Sequence, residues 1–61
     1  MLIKSHQEMQ NEIDMLRGNI NRMCVADSTS EVFSQYEWAR KRLEDIFNYN
    51  ILRLERNKQN D

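Results

Sequence analysis

Cysteine, histidine and glycine occur once each in this 61-residue chain, and proline not at all. A lone Cys24 can form no internal disulfide, which fits a reducing compartment, so the chain reads as cytoplasmic. The one histidine, His6, has no cysteine or second histidine near it and makes no metal site. No run approaches the ~18 apolar residues of a membrane span, and the start Met1-Leu2-Ile3-Lys4-Ser5-His6 lacks a signal peptide's apolar stretch. Nine Lys and Arg against ten Asp and Glu leave a net charge of -1, with no basic excess for nucleic acid and no acidic excess to mimic it. No catalytic or phosphate-binding constellation appears, so the reading is of a chain without cofactor or small-molecule substrate, and not an enzyme.

A chain this short buries only about 60% of the surface it exposes when unfolded. The usual remedies are disulfides, a metal or a partner chain. With one cysteine, one histidine and no proline, the partner is what remains: a second copy, another protein, or both.

What the chain does have is helical periodicity. Leu2, His6, Met9, Ile13, Leu16, Ile20 and Met23 step by four and three residues, the seam of a heptad repeat, and define a first helix over about 3–24. Gly18 lies on its outward face; because the seam continues past it, it reads as tolerated, with close approach of a partner backbone as the functional alternative. The segment Cys24-Val25-Ala26-Asp27-Ser28-Thr29-Ser30 joins weak helix formers to residues that hydrogen-bond their own backbone, which places a turn at about 25–29. Ser28 and Glu31 have capping-box spacing. A second helix follows over about 30–56, and the polar residues 57–61 are expected to fray. At 100° per residue, Val32, Tyr36, Ala39, Leu43, Ile46, Phe47, Asn50 and Leu54 share one face of this helix, with Phe33 and Ile51 at its edge. Trp38, Tyr49 and Leu52 lie nearly opposite.

These patterns define one all-α domain, an antiparallel coiled-coil-like hairpin whose remaining apolar surface pairs with a second copy as a four-helix bundle. Trp38, Tyr49 and Leu52, residue types common at interface hot spots, are the candidate partner-binding residues, together with Arg42 from the basic run Arg40-Lys41-Arg42. A hairpin folded about Asp27 and Ser28 sets Met23 opposite Val32, Leu16 opposite Ala39, Ile13 opposite Leu43 and Met9 opposite Ile46. The same register puts His6 beside Tyr49 and Asn50, so His6 and Asn50 are expected to form a buried polar layer.

Two family patterns touch parts of the chain. Ile13-Asp14-Met15-Leu16-Arg17, followed by Ile20 and a second helix, resembles the first helix of the helical-hairpin aspartyl-phosphate phosphatases of the sporulation phosphorelay. That likeness implies a regulator acting on a phosphorylated response regulator, with Gln35 and Glu44 the candidates to orient water. The family's Ser-Gln-Glu-Leu-Asp signature is not matched; Arg40-Lys41-Arg42-Leu43-Glu44 keeps only the Leu and an acidic residue. Phe33, Tyr36, Lys41, Arg42, Leu43, Glu44 and Ile46 also resemble the second helix of the coiled-coil hairpin in the receptor subunit of tail-anchored-protein insertases, a hairpin set between membrane spans that this chain lacks. The expected function is a non-enzymatic interaction module, a small adaptor, regulator or assembly subunit. The alternatives are the phosphatase-like regulator and an excised hairpin of a larger protein.

Overall fold

Two serines decide where the helices begin. Ser5 has an extended backbone (φ -145°, ψ 163°), and its hydroxyl accepts from the Glu8 N–H at 3.2 Å. The Glu8 carboxylate reaches back to accept from the Lys4 N–H at 2.8 Å. Ser28 repeats the first half of this arrangement, accepting from the Glu31 N–H at 3.2 Å. Each cap satisfies a backbone donor that the first helical turn leaves free.

The computed structural model describes residues 2–59, with side chains described to residue 56. Among them two packed α-helices form a hairpin, α1 over His6–Cys24 and α2 over Thr29–Gln59. At 1.5 Å per residue α1 is about 28 Å long and α2 about 46 Å, so α2 overhangs the start of α1. The link needs no glycine. The Val25 N–H donates to the Asn21 carbonyl at 3.3 Å and the Ala26 N–H to the Met23 carbonyl at 3.4 Å, and no described residue has a positive φ.

The turn lies where the sequence places it, but the first helix starts later than residue 3. Ser5-His6-Gln7-Glu8 is the same capping pattern as Ser28 to Glu31, and it starts the helix at His6. Leu2 and Ile3 therefore sit outside the heptad and form a short strap before the helix, in which Ile3 is buried. At the other end the helical backbone continues to Gln59, and the expected fraying at 57–61 falls largely outside the described residues.

The packed faces are rotated relative to the sequence reading. Buried and half-buried positions recur along α1 as Met9, Glu12, Leu16, Asn19 and Met23, and along α2 as Val32, Gln35, Ala39, Arg42, Ile46 and Tyr49. Each series steps by three and four residues, the signature of a coiled-coil seam. Val32, Ala39 and Ile46 keep their expected inward positions. Tyr36, Leu43, Phe47 and Leu54 do not; they are exposed, as are Leu2, His6 and Ile20 of the expected first seam.

Gly18 points away from α2, and a Cβ built there meets nothing within 4 Å. Gly18→Ala should raise stability by about 1 kcal/mol, and Ser28→Ala should lower it by about 1 kcal/mol through the lost cap. In a domain of this size each shifts the melting temperature by roughly 4–8 °C at fixed protein concentration. A melting temperature lowered by Gly18→Ala would mean that a partner backbone approaches this position.

Candidate protein-interaction site

The rotation of the seam has a chemical cause in four polar side chains. Asn19 donates through Nδ2 to Gln35 Oε1 at 2.8 Å and accepts at Oδ1 from Arg42 Nε at 3.0 Å. Arg42 Nη1 donates to Glu12 Oε2 at 2.9 Å and lies 3.2 Å from the Met15 sulfur. Glu12 and Asn19 are among the most buried residues of the chain, at 6% and 5% exposure. A buried carboxylate or amide left without a partner costs ~1–3 kcal/mol or more, so α2 turns Gln35 and Arg42 inward to meet them. Among the described residues no buried side-chain nitrogen or oxygen is left unbonded.

Bringing these four inward sends the apolar stripe out. Phe33, Tyr36, Leu43, Phe47, Ile51 and Leu54 run along one side of α2 at 41% to 68% exposure. At 100° per residue they fall within an arc of about 80°, offset by roughly a quarter turn from the seam. Ile13 and Ile20 lie on the same side of α1, and Ile20 is 46% exposed. One side of the hairpin is thus a largely exposed layer of big apolar side chains, among the described residues. Arg40 interrupts the stripe and is bonded to Glu37 at 3.0 Å; that hydrogen bond, with the Glu37 charge behind it, raises the guanidinium pKa above its ordinary value.

The opposite side holds the residues that the sequence singles out for partner binding, and the structure separates them. Trp38 is 54% exposed, with Lys41 Nζ and the Arg42 guanidinium carbon each 5.6 Å from its ring centroid. These cations and Trp38 line an open groove of about 560 Å³ together with Glu12, Met15, Glu44 and Asp45. Tyr49 and Leu52 lie further along, lining a smaller hollow with Leu2 and Ile3, so the strap has moved in beside them. Arg42 belongs to the seam more than to either surface.

The expected layer of His6 and Asn50 is not formed. His6 is exposed, because α1 starts at this residue instead of running through it. Asn50 is half-buried, but its amide donates to the Ile46 carbonyl at 2.8 Å and lies 3.4 Å from the Met9 sulfur, while its oxygen accepts from Arg53 at 3.2 Å. The register itself holds, since Glu12 meets Arg42 and Asn19 meets Gln35 within a residue of the pairing that a fold about Asp27 and Ser28 requires. Polar layers exist, one and two heptads nearer the turn. Their signal was the repeat of seven that links Glu12 to Asn19 and Gln35 to Arg42.

Gln35 and Glu44, the candidates for orienting water at an aspartyl phosphate, are nine residues apart and so half a helical turn apart around α2. Gln35 is occupied by Asn19, and Glu44 is exposed beside Trp38. Among the described residues no three of His, Cys, Asp and Glu gather as metal ligands, and no helix is long and apolar enough to cross a membrane. Compared with protein-family models, curated proteins and solved structures, the chain has no significant match.

Removing Arg42 strips partners from both Glu12 and Asn19. Arg42→Ala should cost about 3 kcal/mol, as when one member of a buried ion pair is deleted, read as a lower urea midpoint or as lost helicity. The double variant Glu12→Leu with Arg42→Leu leaves no charge stranded and should recover most of that loss. A cost below about 0.5 kcal/mol for Arg42→Ala would show the ion pair to behave as an exposed surface pair.

Proposed function

We propose that this chain is a non-enzymatic protein–protein interaction module, a small adaptor, regulator or assembly subunit, that works through a helix face and joins a second copy to complete a four-helix bundle. The observation that carries this reading is the unpacked stripe from Phe33 to Leu54. Six large apolar side chains on one helix side exceed the scattered exposure of ordinary surfaces and are of the kind that mark interaction sites. Thermodynamics points the same way. Among the described residues only Ile3, Met9 and Ala39 are buried apolar residues, and no side chain is fully enclosed. A core of that size leaves a hairpin dependent on further burial.

The face has the chemistry of recognition, and its groups are not those of catalysis. Gln35 is spent in the seam, Glu44 stands on the other side of α2, and the exposed Cys24 has no histidine beside it to activate it. The lone thiol suits a reducing, cytoplasmic setting.

Association coupled to folding makes stability depend on concentration. The melting temperature should rise across a hundredfold increase in protein concentration, and sedimentation should show twice the chain mass at the upper end. A monomer at high micromolar concentration with an unchanging melting temperature would overturn self-association. Incubation with acetyl phosphate or a phosphorylated response regulator should give no turnover above the uncatalysed rate. Turnover abolished by Gln35→Ala or Glu44→Ala would replace the interaction module with the phosphatase-like regulator.

A further inference from the structure

We infer that the occupant of the Phe33–Leu54 stripe is the same stripe of a second copy, laid antiparallel across a two-fold axis that passes between Leu43 and Glu44. This rests on the interaction-module reading and adds to it the face, the direction and the register of pairing.

The stripe is its own complement. Reversal about the point between Leu43 and Glu44 carries Phe33 onto Leu54, Tyr36 onto Ile51 and Arg40 onto Phe47. Phe33, Tyr36, Ile51 and Leu54 then meet other apolar members of the stripe, Leu43 lies one residue level from its own symmetry mate beside the axis, and Phe47 meets Arg40, the self-matching that an isologous two-fold contact requires. Arg40 decides the direction. In a parallel pairing it would lie against the partner's Arg40 in the middle of an apolar seam, two like charges taken out of water. Antiparallel, it lies over the partner's Phe47, a favourable cation–ring arrangement, while keeping its 3.0 Å bond to Glu37.

Length excludes the other helix as the cover. The stripe spans 21 steps, about 32 Å, while α1 is about 28 Å long and offers only Ile13 and Ile20 on that side. It also continues through Ile51 and Leu54 onto the part of α2 that overhangs α1. Only a second α2 matches it from end to end. At the observed exposures the six side chains leave roughly 600 Å² per chain, or about 1,200 Å² across two copies, which reaches the lower bound for a specific interface. Ile13 and Ile20 add to this.

Pulsed electron–electron resonance on the full chain, in a Cys24→Ser background, tests the arrangement with one spin label per chain. Lys41 and Glu55 are exposed polar positions outside the stripe. Lys41→Cys lies near the proposed axis, and Glu55→Cys is 23 residues from its symmetry mate's level. At 1.5 Å per residue, with a lateral spacing of ~20 Å, the labels should be roughly 20 Å apart for Lys41 and roughly 40 Å for Glu55. Equal distances at both sites would keep a self-associating module but overturn the antiparallel register. Absence of any dipolar signal at a concentration where sedimentation still gives a dimer would place the two α2 helices too far apart for this face to be shared. A monomer by both methods would defeat the underlying reading as well. Leu43→Glu, which puts a carboxylate beside the axis, should weaken the dimer by at least tenfold, and an undiminished dimer would show that the face lies elsewhere.

Discussion

Arg42 is bonded to α1 at two places a heptad apart, and the rest of the hairpin is arranged to permit it. Its Nε reaches Asn19 and its Nη1 reaches Glu12, while Asn19 in turn holds Gln35. The planar fork suits this use, since each N–H has a fixed direction. Its side chain remains 22% exposed against 8% for Glu12, so the cation keeps some water while the anion depends on the protein. The Coulomb attraction of the pair does little more than offset desolvation. Its larger effect is geometric: a helix that must aim Gln35 and Arg42 at one neighbour cannot also aim Tyr36, Leu43 and Phe47 there.

How far the fold could be read in advance follows from the same competition. The two helices, their antiparallel order and the turn were legible, because these depend on local signals: heptad spacing, the weak helix formers after Met23, and the cap at Ser28. The rotation of α2 about its own axis was not. Hydrophobic periodicity alone places the centre of the apolar arc toward α1, and here that arc is broader than one neighbour can cover, so the polar groups chose which part of it goes inside. Ser5 shows a different failure. The apolar spacing of Leu2 with Met9 suggested a helix passing through it, and the capping pair with Glu8 overrode that spacing; His6 was drawn into the supposed core by the same error.

The candidate site was harder to read than the fold, since its position is a consequence of the rotation. Trp38, Tyr49 and Leu52 share a helix face as the periodicity says, but sharing a face does not make a surface. Trp38 is taken up by Lys41 and Arg42, and Ile3 lies with Tyr49 and Leu52. Trp38 and Leu52 remain exposed at 54% and 49%, and the residues that periodicity would have put in the core are exposed beside them, up to 68% at Phe33.

A seam of polar bonds beside a face of apolar contacts also gives the two surfaces different rules. Had the hairpin closed on an apolar seam, the outer stripe could have taken the place of the seam face at little cost, and hairpins with α2 turned about its axis would compete with the observed one. With Glu12 and Asn19 in α1 and Arg42 and Gln35 in α2, the hairpin contact is satisfied only by a segment carrying the complementary groups at a spacing of seven. The Phe33–Leu54 stripe offers no such groups and so cannot replace α2 in that seam. Nor can the seam face of α1 dock on the stripe without stranding a carboxylate and an amide. The stability given up by placing four polar side chains between the helices is therefore recovered as a single choice of which face of each helix turns inward.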